Sequence, residues 1–298
     1  MAADELTIVI LSYNVENLLS GCLDSVIRSQ KKTDKWKIVV IDNASVDNSV
    51  RMVRNKFPRV RVVANKENIG FGAANNLVLK QVSGPFTLLL NPDTIVYPEV
   101  ISTVLEYLKS HPDVGAATCR VELPDGRLDY SCHRRFPNPA NAFIYFFTGY
   151  FRKFSGYSDN LIPQTVHEID ALCGAFAMFK TSAGKKLGWF DEDFWWNGED
   201  LDLCFRLKRA NWKIVFIPQV KITHFKGSSS GLQATGRGSA GISTRIRSMQ
   251  AGISAMRIFY DKHYKSGYPA IFNFIVYTGM SLLKIVRTFK IKYLNSQV

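Results

Sequence analysis

Six acidic and five large aromatic residues are interleaved in the segment WFDEDFWWNGEDLD, which covers residues 189–202. The acids are Asp191, Glu192, Asp193, Glu199, Asp200 and Asp202, and the aromatic residues are Trp189, Phe190, Phe194, Trp195 and Trp196. Because the aromatic side chains favour burial, part of this segment has to leave water. A carboxylate beside apolar walls acquires a raised pKa, which suits a general base. The alternative is that Glu199 and Asp200 stabilise only the positive end of a helix.

Three groups of polar residues follow apolar segments that are expected to be buried strands. They are Ser12, Tyr13 and Asn14, then Asp42 and Asn43, and finally Asn91-Pro92-Asp93. Pro92 cannot donate to a central ladder, so the strand before it must end there. In a parallel sheet the carboxyl ends of the strands lie at one edge, where such sheets bind ligands. Each group can also be explained as a cap or turn, but three groups at one edge favour a binding site.

A glycine-rich turn and a histidine are further candidates. NIGFGAANN (68–76) opens a predicted helix whose first amides are expected to face a phosphate. The turn lacks the spacing of the familiar phosphate-binding loops, so as a motif it is weak. His224 ends a later predicted strand, where it is either a ligand or a histidine with ordinary structural partners.

The elements that must position these residues alternate between short apolar strands and amphipathic helices. Strands are predicted at 6–14, 35–43, 59–65, 85–91 and 114–120, and helices at 15–30, 45–57, 70–82 and 98–111. Further strands are predicted at 174–180, 212–218 and 220–225, with a helix that begins near Gly198. The alternation predicts an α/β fold with a mostly parallel, twisted central sheet and helices on both of its faces.

The composition is that of a soluble globular protein with an uneven charge. Of 298 residues, 46% are apolar, and the first segment has acids before its apolar run, unlike a signal peptide. Five scattered cysteines without a CxxC pair predict a reducing cytosol and neither a disulfide framework nor a zinc site. From residue 226 onward, eleven Lys and Arg face a single acid, which indicates an anionic membrane surface or a nucleic acid as partner. The sequence has no nucleic-acid-binding motif, which argues against the second.

Two loops and two basic helices are predicted outside this core. Residues 133–165 are expected to form a covering loop, and the Gly/Ser-rich segment 226–244 a mobile loop that is a candidate lid. Helices are predicted at 245–264 and 270–293. The apolar stretch at 269–283 gives only about 22 Å of helix, too short for a membrane core of about 30 Å. Its apolar and polar faces instead predict an amphipathic helix that lies in a membrane interface, or else packs on protein.

These segments together resemble the family 2 glycosyltransferases, which are inverting enzymes with the GT-A fold. The resemblance rests on TIVILSYN, VVIDNASVDNS, NKENIGFGAANN, LLLNPDT, GAFAMFK, GWFDEDFWWNGEDLDLCFRLKRANWKI and THFKGSS, which occur in the family's order. They span roughly residues 6 to 230 and are most similar to the bacterial rhamnosyltransferase branch. The expected GT-A catalytic domain is 1–230, with a donor half at about 1–120, an acceptor half at about 121–230, and a tail at 231–298.

The resemblance also implies a role for each candidate residue. The donor-binding residues are Ser12, Tyr13, Asn14, Asp42, Asn43, Asn68, Gly70, Asn75, Asn91 and Asp93. Asp93 and His224 would bind a divalent metal, Mg²⁺ or Mn²⁺, and Asn91 stands where many relatives carry a first acid. Asp200 would act as general base and Glu199 would orient the acceptor or the base. Trp195, Trp196 and Asp202 would contact the acceptor.

The function implied is the transfer of a sugar from a nucleoside-diphosphate donor to a polyprenyl-linked or polysaccharide acceptor in cell-surface glycan synthesis. The donor is expected to be dTDP-rhamnose, with a UDP-hexose or UDP-N-acetylhexosamine as the alternative. The expected location is the cytoplasm, on the inner face of the cell membrane, with contact through the basic C-terminal helices. A catalytically silent scaffold and a nucleic-acid-binding protein are the weaker alternatives.

Overall fold

The computed structural model describes residues 4–139, 141, 164–226 and 242–294. The strands are β1 (Leu6–Ser12), β2 (Trp36–Asp42), β3 (Arg61–Ala64), β4 (Phe86–Leu90), β5 (Thr94–Val96), β6 (Val114–Glu122), β7 (His167–Glu168), β8 (Phe176–Lys180) and β9 (Lys213–His224). The helices are α1 (Glu16–Ser29), α2 (Ser49–Lys56), α3 (Phe71–Leu79), α4 (Val100–Ser110), α5 (Thr181–Lys186), α6 (Glu199–Arg209), α7 (Ile242–His263) and α8 (Ala270–Phe289).

The first half of the sheet has the predicted parallel arrangement. β1 pairs in parallel with both β2 and β4, and β2 pairs in parallel with β3. All five residues of β4 are buried, because helices and loops cover the sheet on both faces. Ser12 is the register partner of Asp42, so the polar groups after β1 and β2 lie side by side as expected.

The second half of the sheet adds strands of mixed direction. The order is β3-β2-β1-β4-β8-β6-β9-β5, and β8 runs antiparallel to both of its neighbours, β4 and β6. β5 pairs antiparallel with β9 and brings Thr94 opposite His224. The segment 213–224, predicted as two strands, is one long strand whose register against β6 shifts between Cys119 and Arg120. An irregularity at that point lets the strand continue through Pro218.

Helix α6 begins where the sequence predicts, directly after Gly198. Gly198 has a left-handed φ of 90°, and a side chain there would meet Ala255 and Phe194 at 3.0 Å. A residue without a Cβ is therefore required both for the turn into the helix and for the close approach of α7. All five cysteines are free and buried.

The two C-terminal helices form a hairpin that packs on α6 through α7. His263 contacts Asp202 at 2.7 Å, and Lys262 pairs with Asp191 and Asp193 at 2.7 and 2.6 Å. The rings of Phe205 and Phe259 make an edge-to-face contact with centroids 5.4 Å apart. Of the two alternatives that the sequence left open for the tail, packing on protein is the one observed for α7, which contacts the helix that carries Glu199 and Asp200.

The last predicted helix, 270–293, is present, and its 24 residues from Ala270 to Tyr293 are long and apolar enough to cross a membrane by length and composition alone. The length argument made from the sequence concerned only the apolar run at 269–283, which is shorter than the helix. The amphipathic pattern itself is present, with Ile271, Phe274, Ile285 and Phe289 all exposed. Most of the predicted loop 133–165 and residues 227–241 of the predicted lid lie outside the described residues.

Two helical glycines should respond in opposite ways to the same substitution. A Cβ on Gly184, in α5, would lie 2.3 Å from the buried Trp189 indole, whereas one on Gly252, in α7, would meet nothing within 4 Å. Gly184→Ala should lower the free energy of unfolding by about 1–3 kcal/mol through overpacking. Gly252→Ala should raise it by up to about 1 kcal/mol through helix propensity. Urea unfolding of both variants tests this, and equal effects would contradict the packing described here.

Candidate active site

A cleft of about 1480 Å³ runs along the carboxyl edge of the sheet and continues between α6 and the C-terminal hairpin. It exceeds the volume of about 300–1,000 Å³ that a single small ligand usually occupies. Its wall includes many of the sequence-predicted residues, namely Ser12, Tyr13, Asn43, Asn68, Gly70, Asn91, Trp195, Trp196, Glu199, Asp200 and His224. The structure therefore brings the strand-end residues and the acidic helix start to one cavity.

Ser12, which lines the cleft, and its register partner Asp42 leave unsatisfied polar atoms at the ends of β1 and β2. Ser12 Oγ and Asp42 Oδ1 are buried and have no hydrogen-bond partner within the protein. The second oxygen of Asp42 accepts the Ser45 amide at 2.9 Å. An unpaired buried polar atom is costly, so these two oxygens are suited to hydrogen-bond a ligand.

Two asparagines connect the loops around the cleft instead of presenting their amides to it. Asn14, with a left-handed φ of 54°, accepts the Val46 amide at 2.8 Å. The Asn43 carbonyl oxygen accepts from Asn65 and Ile69, while its amide nitrogen donates to Asn68 Oδ1 at 2.8 Å. Their side chains thus fix the positions of three loops relative to one another.

Two amides of the glycine-rich turn are already bonded within the protein. The Gly70 amide donates to Asn68 Oδ1 at 3.1 Å, and the Phe71 amide donates to the Trp195 carbonyl at 2.9 Å. Gly70 has a φ of 89°, and a Cβ there would lie 2.6 Å from the Trp195 carbonyl oxygen. The glycine is therefore needed for close contact with the segment 189–202. Asn75 is buried and donates to the Phe71 carbonyl of its own helix, which is a packing role.

A histidine and two carboxylates form a charged cluster at the ends of β4 and β9. His224 Nε2 lies 3.3 Å from Asp93 Oδ1, and Nδ1 lies 3.2 Å from Asp129 Oδ2. Burial opposes the charge on His224, but Asp129 and Asp93 outweigh it and raise the pKa of the imidazole to about 9. Burial also opposes ionisation of Asp129, but His224 and Lys226 hold the pKa of its carboxyl well below the usual range.

These residues fit a divalent cation only as a partial site. Asp93 Oδ1 is buried and accepts no well-aligned hydrogen bond, and a cation would replace the proton that Asp93 and Asp129 favour on His224, because a histidine ligand has to be neutral. Asn91 Nδ2 lies 3.4 Å from His224 Nε2, so this predicted donor-binding residue lies beside a predicted metal residue. In the part of the chain that the structure describes, no three acidic, histidine or cysteine side chains form a closed metal site. Such an incomplete set suits Mg²⁺ or Mn²⁺, which take remaining ligands from water and substrate phosphates.

Asp200 is held at the start of α6 by an arginine from a distant segment. Arg134 Nη2 lies 2.6 Å from Asp200 Oδ2 and also donates to the Leu172 carbonyl. The Arg134 backbone is fixed in turn by two hydrogen bonds with Ala171, at 3.1 and 3.0 Å. The guanidinium therefore stabilises the ionised carboxylate at the cleft wall and fixes its orientation.

Glu199, next to Asp200, has the opposite electrostatic environment. Burial and the neighbouring Asp200 charge raise the pKa of the Glu199 carboxyl to about 8, and its Oε2 has no hydrogen-bond partner. The raised carboxyl pKa expected for this segment thus belongs to Glu199. The two adjacent acids therefore have different surroundings: Glu199 is enclosed and its neutral form is favoured, whereas Asp200 pairs with Arg134 at the cleft wall.

The remaining predicted acceptor residues differ in their surroundings. Trp195 is 51% exposed and Trp196 is half-buried, and both line the cleft as platforms would. Asp202 is fully buried, with one oxygen 2.7 Å from Arg206 Nε and the other 2.7 Å from His263 Nε2. Both oxygens are thus engaged between α6 and α7, which favours a structural role for this residue.

Sequence reasoning missed Asp129 and Arg134. Asp129 follows the Pro-Asp-Gly turn of LPDGRLD, and Arg134 stands at the start of the predicted loop 133–165. Neither belongs to a recognisable motif. Each is separated from its partner in the sequence by up to about a third of the chain. The only available signal was that a covering loop near a cluster of acids has to supply compensating cations.

The raised pKa of Glu199 predicts a pH-dependent stability difference. An acid whose pKa is about 8 when folded and 4.5 when unfolded favours the native state at low pH, and this contribution is lost as the pH rises from about 4.5 to about 8. The Glu199→Gln variant has no carboxyl group at this position, so it does not lose stability in this way as the pH rises. The variant should therefore gain stability relative to the wild type across that range, by more than about 1 kcal/mol. Urea unfolding of both proteins at the two ends of the range tests this, and a pH-independent difference would contradict it.

Comparisons with known proteins identify the family of this chain. The model of the family described as "Glycosyl transferase family 2" matches residues 7–187. A Mycobacterium tuberculosis N-acetylglucosaminyl-diphospho-decaprenol L-rhamnosyltransferase is 25% identical over 243 residues, which cover 76% of this chain and 78% of the relative. The rhamnosyltransferase WbbL of Escherichia coli is 24% identical over 226 residues, or 73% of this chain and 82% of the relative.

A solved structure confirms the expected GT-A fold. The mannosyltransferase PcManGT from Pyrobaculum calidifontis, in complex with GDP-Man and Mn²⁺, aligns with a TM-score of 0.58 at 18% identity. The alignment covers 100% of this chain and 77% of the mannosyltransferase. Because the family model spans more than half of the sequence, this chain belongs to glycosyltransferase family 2 and is a glycosyltransferase with rhamnosyltransferases among its relatives.

Proposed function

We propose that this protein is an inverting glycosyltransferase that moves L-rhamnose from a nucleoside-diphosphate donor to a lipid-linked acceptor in cell-surface glycan synthesis. One observation carries the proposal: a single cleft is lined by Ser12, whose Oγ is unsatisfied, by the Asn91–His224 pair and by Asp200. This arrangement supports nucleotide binding, cation binding and a base along one path. The two rhamnosyltransferases among its relatives favour rhamnose as the sugar.

The donor is proposed to lie across the carboxyl edge of the sheet. Ser12 Oγ and Asp42 Oδ1 would hydrogen-bond the base and ribose hydroxyls, which satisfies both buried oxygens. Asn68 and Asn91 line the wall beside them. Asn14 and Asn43 hold the loops that shape this part of the cleft and act on the donor through that shape.

Asp93 and His224 are proposed to hold Mg²⁺ or Mn²⁺ together with the donor diphosphate. When bound, the cation stabilises the negative charge that develops on the departing nucleoside diphosphate. Asp129 keeps the His224 ring in place through Nδ1, as a carboxylate behind a metal-binding histidine commonly does. Lys226, which also lines the cleft, adds a further positive charge near the leaving group.

Asp200 is proposed to be the general base. It accepts the proton of the acceptor hydroxyl, whose oxygen attacks the anomeric carbon while the bond from that carbon to the phosphate oxygen breaks. The electron pair leaves with the nucleoside diphosphate, and a single displacement inverts the anomeric centre. Glu199, neutral and buried, would place no second negative charge beside the base, and Arg134 would hold the Asp200 carboxylate in position. Trp195 and Trp196 would provide apolar surfaces for the acceptor sugar.

The membrane is proposed as the place of action. One relative is described as acting on a diphospho-decaprenol, and α8 exposes apolar side chains beside Lys284, Lys290 and Lys292. Lysines near an apolar helical face favour binding to an anionic membrane surface. The protein would then act in the cytoplasm, at the inner face of the cell membrane.

Asp200→Asn should lower kcat for sugar transfer by a factor of about 10² to 10⁴, because the amide cannot accept the acceptor proton. Donor affinity should stay within about twofold, since Asp200 lies apart from the nucleotide end of the cleft. Steady-state transfer assays and calorimetric titration with the donor measure the two quantities. Equal loss of donor binding and of transfer would show that Asp200 is a structural carboxylate.

A thermal-shift screen identifies the donor. The cognate nucleotide sugar should raise the melting temperature by mass action, and more so with Mn²⁺. dTDP-rhamnose is expected to give the largest shift, and the Mn²⁺-dependent part should vanish in Asp93→Asn. A larger shift with a UDP-sugar would keep the enzyme class but change the product. The absence of a shift with every donor, in a folded sample, would contradict the proposed function.

A further inference from the structure

Helix α8 has three distinct flanks, and two of them are apolar. Asn273 and Tyr277 bind Tyr260 and Asp261 of α7, which fixes one flank. The second flank lines the cleft, and its residues repeat every three or four positions: Phe272, Val276, Gly279, Leu283 and Arg287. The third flank faces solvent and carries the exposed Ile271, Phe274, Ile285 and Phe289. Packing against the rest of the protein does not explain the apolar residues of this third flank, because only 6% of the most apolar part of the helix is buried.

The cleft opens onto the exposed flank. Phe274, Ile275 and Leu282 both line the cleft and are exposed, by 66, 60 and 51% of their surface. The wall of one mainly apolar cleft therefore extends from Asp200 to the exposed surface of α8. A molecule could extend from Asp200 along this wall to the outer face of α8.

Two arginines give the hairpin part of this wall a positive charge. Arg247 of α7 and Arg287 of α8 line the same cleft. The two helices run antiparallel through a short turn, so residues near the start of α7 lie beside residues near the end of α8. A wall that is apolar along its length and carries guanidinium groups is suited to an amphiphile with an anionic head, because arginine binds phosphate oxygens in a bidentate manner.

We propose that the α7–α8 hairpin is the acceptor subsite and that it admits a polyprenyl diphosphate sideways from the membrane. The prenyl chain lies along Val276, Gly279 and Leu283 and leaves over Phe274 into the bilayer, while Arg247 and Arg287 bind the diphosphate. This deepens the proposed function, on which it rests for the chemistry of the acceptor. It assigns to the C-terminal helices recognition of the substrate in addition to attachment to the membrane.

Gly252 allows a selective block of this path. It lines the cleft from α7, and a Cβ there would meet nothing within 4 Å, so a large side chain would enter open space. Gly252→Phe should therefore fold and occlude the hairpin wall. Gly252→Ala is the small control. Ser254→Phe, exposed and on the same helix but outside the cleft wall, is the control of equal bulk.

The experiment measures vesicle binding, so it does not depend on sugar transfer. Full-length protein is floated with phosphatidylcholine–phosphatidylglycerol vesicles, with or without a small fraction of decaprenyl diphosphate. The wild type, Gly252→Ala and Ser254→Phe should bind the vesicles that contain the lipid diphosphate about tenfold more tightly than those without it. Gly252→Phe should keep the basal binding and lose this increment. If Gly252→Phe fails to fold, Arg247→Glu should reduce the increment by at least about threefold.

Three results would overturn the inference while leaving the proposed sugar transfer intact. The first is a wild type that transfers sugar but shows no preference for the lipid diphosphate, and the second is a Gly252→Phe variant that keeps the full preference. A dimer in sedimentation that buries the exposed flank of α8 and does not bind vesicles would also overturn it, because a second copy would then be the occupant. Failure of the donor screen, by contrast, concerns only the proposed function.

Discussion

The position of the segment 189–202 depends on close contacts on both of its sides. On one side the Trp195 carbonyl accepts the Phe71 amide, which is possible only because Gly70 has no Cβ. On the other side Asp202 contacts His263 of α7 at 2.7 Å. Arg206 of α6 connects this helix to the start of the segment by donating to the Leu187 and Trp189 carbonyls. This single segment thus connects the first half of the sheet, the start of α6 and the C-terminal hairpin. A change at any of these contacts would move Asp200 relative to the strand ends.

The two acids at the start of α6 illustrate how burial separates the roles of chemically similar groups. Glu199 is enclosed, and its unpartnered Oε2 favours the neutral form, whereas Asp200 lies at the cleft wall beside the Arg134 guanidinium. Two adjacent carboxylates disfavour each other's ionisation. Here the arginine forms an ion pair with only one of them, Asp200. Helix α6 adds the positive end of its dipole to both. The same device operates at His224, where two carboxylates instead stabilise a positive charge.

Local sequence patterns predicted most of the strands and helices and many of the residues that line the cleft. The strands β1 to β4 and the start of α6 at Gly198 follow from apolar runs, Pro92 and the glycine, all of which act within a few residues. The antiparallel insertion of β8 between β4 and β6 was not predictable, because an apolar strand carries no mark of its direction. Arg134 was missed for a similar reason: its partner Asp200 is 66 positions away, and only the tertiary fold brings them together. Asn75 and Asp202, whose predicted roles came from the family resemblance, both have partners within the protein, in α3 for Asn75 and in α6 and α7 for Asp202.

The attachment of α8 to α7 constrains how the hairpin can meet a membrane. The length and composition of α8 would permit a spanning helix, yet Asn273 and Tyr277 bind it to α7, which carries Arg257, Asp261 and Lys262. A spanning α8 would either lose these contacts or draw charged side chains into hydrocarbon, at a cost of about 2.5–3.5 kcal/mol for each one near the centre. An α8 that lies in the interface keeps its contacts with α7 and still buries its exposed flank. In that orientation the mouth of the cleft between Phe274 and Leu282 faces the acyl chains, so the geometry that avoids the cost of charge burial also opens the catalytic cleft towards lipid.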